Sequence, residues 1–108
     1  MDLKRILIAS RDLRLLSRLD HRLRPAYVVE MALTSGEALS KLQSKWYSAA
    51  LVDQTLIGPG EMEIGRRLSP GMHVVSVCPE DVWRVDEVVE YLQAIDQPGD
   101  VVAAVGVG

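Results

Sequence analysis

The sequence is poor in aromatic residues and in cysteine. It has no phenylalanine, two tryptophans and three tyrosines among 108 residues, and its single cysteine is Cys78. One cysteine excludes an internal disulfide and a multi-cysteine metal site, so we assign Cys78 no function. His21 and His73 are isolated from any acid or cysteine cluster, and we assign them no role either.

Long apolar runs and a basic charge balance are also lacking. No run could span a bilayer, and the N-terminus lacks the apolar core of a signal peptide, so we expect a cytoplasmic protein with no membrane partner. The formal net charge of -3 argues against a protein that binds nucleic acid directly, because such proteins neutralise phosphates with a basic surface.

What is present indicates one globular α/β domain over residues 1–108, since 48% of the residues are hydrophobic and the length leaves no room for a second core. Short apolar runs alternate with segments of helical periodicity, which is typical of a parallel sheet covered on both faces. The runs predicted as strands are residues 6–9, 27–33, 49–52 and 74–77. The predicted helices carry the stripes Leu15-Leu16-Leu19-Leu23, Ala38-Leu39-Leu42 and Met62-Gly65-Leu68.

The last third of the chain is ambiguous. Residues 80–95 fit a helical stripe, but residues 88–92 also read as a strand, and we predict a short helix followed by a fifth strand. A last helix is predicted after Pro98, with Val101, Val102 and Val105 on one face. The expected fold is a doubly wound, five-stranded, flavodoxin-like sheet of order 2-1-3-4-5, with helices on both faces and a shortened fourth helical region.

Asp53 ends the third apolar run, so it is predicted at the carboxyl edge of the sheet, where ligand sites of such folds lie. An aspartate that only forms a turn or caps a helix is the alternative. The segments "RILIAS", "SGEALSKL", "YSAALVDQTLIGPGEMEIGRRL" and "HVVSV" resemble the receiver domain of bacterial response regulators (CheY-like). In that register Asp53 matches the aspartate that receivers phosphorylate.

The resemblance also implies an acidic pair for Mg²⁺, a hydroxyl after the fourth strand and a lysine after the fifth. The matching positions here are Ser10 and Arg11 with Asp12 as the nearby acid, then Ser76 or Val77, and finally Ala94. No lysine follows Lys45, and Ile57 stands where a proline normally follows the acceptor loop. The chain therefore looks like a pseudo-receiver, with no cofactor and at most weak Mg²⁺ binding.

Arg11 suggests a replacement for the metal, because its guanidinium could pair with Asp53; the alternative is a solvated arginine at a strand end. Receivers characteristically bind partners through the face of the fourth helix, fifth strand and fifth helix, where Trp83 and Tyr91 are expected, either as anchors or as mere cover for the core.

Three functions follow from these residues. The first is a non-enzymatic, phosphorylation-independent interaction module that binds a signalling protein or effector domain, or dimerises through that same face. The second is a receiver still phosphorylated at Asp53 by a histidine kinase. The third is a small-ligand module, which ranks last because the chain lacks a Gly-rich phosphate loop.

Overall fold

The computed structural model describes residues 3–68 and 70–95. Four strands and four α-helices alternate along this part of the chain, with one short 3₁₀ helix after the last strand. The strands are β1 (Lys4–Ala9), β2 (Tyr27–Ala32), β3 (Ala49–Asp53) and β4 (His73–Val77). The helices are α1 (Leu13–Leu23), α2 (Ser35–Ser44), α3 (Pro59–Leu68) and α4 (Val85–Ile95), and the 3₁₀ helix is Pro79–Trp83.

The strands form one parallel sheet of order β2-β1-β3-β4. The predicted α/β class and the order of the first four strands are confirmed. The described residues contain four strands, however, and the predicted fifth strand at residues 88–92 is wrong, because these residues belong to α4. The helix predicted after Pro98 lies outside the described residues.

Residues 85–95 form a helix because only helical spacing puts their apolar side chains on one buried stripe. Val85, Val89 and Leu92 are buried, whereas Glu90 and Tyr91 between them are exposed. Spacings of three and four residues are those of a helix face; a strand would have buried every second residue.

Two apolar cores cover the sheet, one on each face. On one face α1 and α4 pack together over Ile6, Ile8, Leu51 and Val75. On the other face α2 and α3 pack over the alternate strand residues, which include Leu7, Ala50 and Val52. Thus α4 lies beside α1 and on the opposite side of the sheet from α3.

Helix ends are fixed by local hydrogen bonds. Asp12 caps α1, since its Oδ1 accepts from the Leu15 N–H at 2.9 Å. At the start of α2, Thr34 Oγ1 accepts from the Glu37 N–H, while Glu37 Oε1 accepts from the Leu33 N–H, the amide just before the cap. None of the described helices is long and apolar enough to cross a membrane.

Candidate functional site

Asp53 ends β3, and its side chain is almost fully buried, with 1% of the residue's surface exposed. The strand is buried throughout, so an acid at its last position enters the mouth of the sheet with little access to water. A carboxylate in such surroundings needs hydrogen-bond donors, because burying an unpaired charge is costly. The donors around Asp53 therefore define what the site can do.

Three donors hold the carboxylate, and all of them are neutral. Ser10 Oγ, which is itself fully buried, donates to Oδ2 at 3.0 Å. Thr55 donates twice to Oδ1, from its N–H at 2.9 Å and from its Oγ1 at 2.7 Å. Both carboxylate oxygens are thus engaged by the protein itself.

The Thr55 contacts form a turn. A carboxylate that accepts from the N–H two residues on closes an Asx-turn, and the Leu56 and Ile57 N–H groups both bond to the Asp53 carbonyl. Asp53 therefore forms a turn, and it does so at the carboxyl edge of the sheet, where the sequence analysis placed it. Sequence analysis missed Thr55, whose signal was the Asp-x-Thr spacing at a strand end.

Ser10 links the ends of β1 and β3. Its Oγ also accepts from the Asp12 N–H at 3.0 Å, so one hydroxyl bridges the Asp53 carboxylate and the start of α1. Asp12 is partly buried, and its own carboxylate is used at the helix cap. Of the three positions predicted for a degenerate acidic pocket, Ser10 contacts Asp53 and Asp12 joins it through the backbone.

Arg11 does not contact Asp53. It is exposed, and no ion pair of the described residues joins it to that carboxylate, whose oxygens are taken by Ser10 and Thr55. The predicted Arg11–Asp53 pair is therefore wrong. A long side chain beside a sealed carboxylate extends into solvent, where its charge stays hydrated.

The predicted switch residues lie away from the carboxylate. Val77 is aligned with Asp53 in the sheet, but it has no hydroxyl; Ser76 is aligned with Val52, so its side chain points to the opposite face. Ala94 was expected at the end of a fifth strand and is instead exposed in the last turn of α4. An 11-residue helix is roughly 16 Å long, so Ala94 lies far below the edge where α4 begins.

The site does not fit the Mg²⁺ ion that the resemblance implies. Mg²⁺ takes oxygen ligands in octahedral geometry, usually from more than one carboxylate. Here a single buried carboxylate is held by three neutral donors, and the carboxylate of Asp12, the acid nearby in sequence, caps α1. No group of three His, Cys, Asp or Glu side chains suited to a metal ion occurs within residues 3–68 and 70–95.

Cys78 follows β4 and is half-buried. The hydrogen bond with Glu80 and the burial of the thiol raise its pKa. Its N–H donates to Asp81 Oδ2 at 2.9 Å, which starts the 3₁₀ helix. The residue thus has a structural position close to the site but a poorly ionised thiol.

Trp83 and Tyr91 are both exposed, by 72% and 57%, so neither merely covers the core. Trp83 stacks on the Arg18 guanidinium, 5.6 Å from the ring centre, and Arg18 also donates to the Val82 carbonyl at 3.3 Å. Tyr91 lies beside β4 in a groove of about 530 Å³. Arg84 and Glu87 border that groove and also the neighbouring groove at Trp83.

Similarity to solved structures identifies the fold of the chain. No protein-family model matches the chain, and no curated protein matches it. Among solved structures, it is similar to a CheY-like response regulator receiver domain protein from Methanospirillum hungatei JF-1. The two are 26% identical, with a TM-score of 0.61 over 85% of this chain and 95% of that one.

Two further structures agree at lower identity. The receiver domain of the hybrid histidine kinase CckA is 21% identical, with a TM-score of 0.61 over 81% of this chain and 96% of that one. A structure described as adenylate cyclase from Rhodopirellula baltica is 24% identical, with a TM-score of 0.63 over 98% of this chain and 87% of that one. The chain has the receiver-domain fold, and this likeness supports a signal-transduction role.

Proposed function

We propose that this receiver-fold chain is an atypical receiver that works as a phosphorylation-independent protein interaction module in two-component signal transduction. The observation that carries the proposal is the state of Asp53: it is buried, and both of its oxygens accept hydrogen bonds from Ser10 and Thr55. The site is built to hold a carboxylate in place.

Phosphorylation of Asp53 would need an accessible oxygen and a cation for the incoming phosphoryl group. Charge on a transferring phosphoryl group is normally neutralised by Mg²⁺ together with basic side chains. Arg11 is exposed and apart from Asp53, and the whole sequence has no lysine after Lys45. A phosphoryl group on Asp53 would thus displace hydrogen bonds without gaining a partner of opposite charge.

The surface around Trp83 and Tyr91 is the proposed contact for a signalling protein or effector domain. Exposed aromatic residues are favoured anchors in interfaces, and Arg84 and Glu87 supply charges of both signs between the two rings. No enzymatic activity is proposed. The name of the adenylate cyclase structure belongs to that protein, and at 24% identity its likeness extends to the fold only.

The test is chemical labelling of the full chain with a small acyl phosphate in Mg²⁺. We expect no incorporation above that of an Asp53→Asn control, which keeps the shape of the side chain and removes the acceptor. Stoichiometric, hydroxylamine-sensitive labelling that Asp53→Asn abolishes would overturn the proposal and establish the phosphorylated receiver instead.

A second experiment distinguishes the interaction module from the third function, a small-ligand module. If the chain binds proteins, its melting temperature should stay constant across a panel of nucleotides and metabolites, because a ligand stabilises the folded state only when it binds that state. A reproducible, saturable rise with one compound would contradict the interaction-module proposal.

A further inference from the structure

The strand β4 forms one edge of the sheet within the described residues, with β3 on its inner side only. His73 N–H donates to the Ser48 carbonyl at 3.0 Å, and the Val77 carbonyl accepts from Gln54 N–H at 3.4 Å. Bonding alternates along a parallel strand, so His73, Val75 and Val77 bond inward to β3. The N–H and C=O groups of Val74 and Ser76 therefore point outward, toward the groove beside α4.

The two edge strands of the described sheet differ in the charged side chains that could prevent another strand from pairing with them. On β2 at the other edge, Glu30 is bound by Lys45 at 2.9 Å, Lys41 at 3.4 Å and Arg5 at 3.3 Å, so a cluster of charges lies at the middle of that strand. Charged side chains and proline are the usual means of preventing strand addition. The strand β4 reads His-Val-Val-Ser-Val, with no proline, lysine or acid. Within residues 3–68 and 70–95, no strand pairs with this edge and no charged side chain on β4 opposes pairing.

We infer that β4 pairs antiparallel with β4 of a second copy of this chain, which makes one continuous eight-stranded sheet across a two-fold axis at Val75. This inference goes beyond the proposed function and does not depend on it. It differs from the homodimer predicted from the sequence, because that face required a fifth strand and β4 is an edge here.

Hydrogen bonding fits this pairing residue by residue. With Val75 opposite its own copy, Val74 lies opposite Ser76 of the second copy, and these are the residues whose backbone groups point outward. A directly opposed pair of this kind exchanges both N–H···O bonds, so the two strands form four bonds. Val75 meets Val75, a favourable β-branched pair, and no like charges are opposed.

The charged residues beside the β4 edge are also arranged to attract those of a second copy. Arg84 precedes α4, which has no basic residue in its last turn and carries Asp86, Glu87 and Glu90. Antiparallel β4 strands set the two α4 helices antiparallel on the same face of the sheet. Arg84 pairs with Glu87 in α4 of its own chain through Nε at 2.8 Å. In the dimer, the same guanidinium of each copy also faces the C-terminal half of the other α4, with Glu90 and the negative end of the helix dipole.

A strand that followed α4 directly would be a poor occupant of the edge. Helix α4 runs back from the carboxyl end of β4, so a following strand beside β4 would be parallel to it. Because α4 lies on the α1 face, whereas α3 joins β3 to β4 over the other face, that crossover would be left-handed. Right-handed crossovers account for roughly 98% of such connections.

The experiment is sedimentation of the full chain over a concentration series, with variants of the edge. We expect a reversible monomer–dimer equilibrium. Ser76→Pro removes one outward N–H from each copy and leaves every β3 bond intact, so it should weaken dimerisation by roughly thirtyfold. The matched control Ser76→Ala keeps that N–H and should leave the dimer unchanged.

Arg84→Glu changes the same surface and leaves the sequence of β4 unchanged. It therefore tests the dimer even if Ser76→Pro does not fold. It should weaken the dimer several-fold and make it less sensitive to salt. A chain that stays monomeric at every concentration overturns the inference, as does a dimer that both variants leave intact. A monomer with slowly exchanging Val74 and Ser76 amides would instead show that another part of the chain covers the edge, which also overturns it. Labelling of Asp53 bears only on the proposed function.

Discussion

The hydrogen bond from Ser10 to Asp53 should be among the most important single polar contacts in the protein. Ser10 Oγ is the only described donor to Oδ2, and both residues are buried, so Ser10→Ala leaves that carboxylate oxygen without its protein partner. The Asp12 N–H also loses its acceptor at the start of α1. A hydrogen bond to a charged group contributes about 1.5–3 kcal/mol, so we expect a loss near 2 kcal/mol.

Ser48→Ala is the matched control. Ser48 is also buried, but its Oγ donates at 3.2 Å to the Arg5 carbonyl, which already accepts from the Ser48 N–H at 2.9 Å. Removing that hydroxyl leaves no group unpaired, so the expected cost is only about 0.5 kcal/mol. The free energies of unfolding are measured by urea denaturation, with the m-value checked for constancy. Equal losses for the two variants would refute the reasoning that Asp53 depends on Ser10.

Four other expectations follow from the same contacts. Ser10→Asp places a second carboxylate against buried Asp53, so the variant should have a lower free energy of unfolding than the wild type. Added Mg²⁺ should raise the free energy of unfolding of the variant and leave that of the wild type unchanged. A variant whose stability does not depend on Mg²⁺ would contradict this expectation. Glu30 is pushed toward a higher pKa by burial, but hydrogen bonds from Lys45, Tyr47 and Lys41 outweigh burial and lower its pKa below 4.5. The ionised Glu30 carboxylate therefore stabilises the folded state fully above pH 4.5, and this stabilisation is lost as the pH falls through the lowered pKa. Glu30→Gln should accordingly reduce the fall in the free energy of unfolding at acid pH. Leu92→Ala should cost about 2–5 kcal/mol in urea unfolding, since Leu92 is fully buried in the α1–α4 core, and a loss under about 1 kcal/mol would count against α4 as a core helix. Trp83→Ala should cost about 1 kcal/mol or less, because only the Arg18 contact is lost, and a larger loss would show that Trp83 supports the core.

Much of the fold could be predicted because it depends on local patterns. Continuous apolar runs marked β1, β3 and β4, the Leu15-Leu16-Leu19-Leu23 stripe marked α1, and the Ala38-Leu39-Leu42 stripe marked α2. These signals lie within a few residues of one another, and the burial of each stripe agrees with its local propensity. That no lysine follows Lys45 could likewise be read directly from the chain.

For residues 85–95, the local sequence pattern did not predict the secondary structure correctly. Val88 and Val89 favour a strand by composition, yet the stripe Val85, Val89 and Leu92 becomes favourable as a helix only when α1 offers an apolar face to cover it. That face is built from residues about 70 positions earlier in the chain, and periodicity over a short run does not contain it.

The sequence by itself therefore determined the alternation of strands and helices, the position of Asp53 at a strand end and the absence of lysine after Lys45. Only the tertiary structure decided which groups hold Asp53 and which strands lie at the edges of the described sheet. Ser10 and Asp53 are 43 positions apart and meet because β1 and β3 are neighbours in the sheet. Arg11, one residue further on, is exposed, and both oxygens of the buried Asp53 carboxylate accept hydrogen bonds from Ser10 and Thr55 instead.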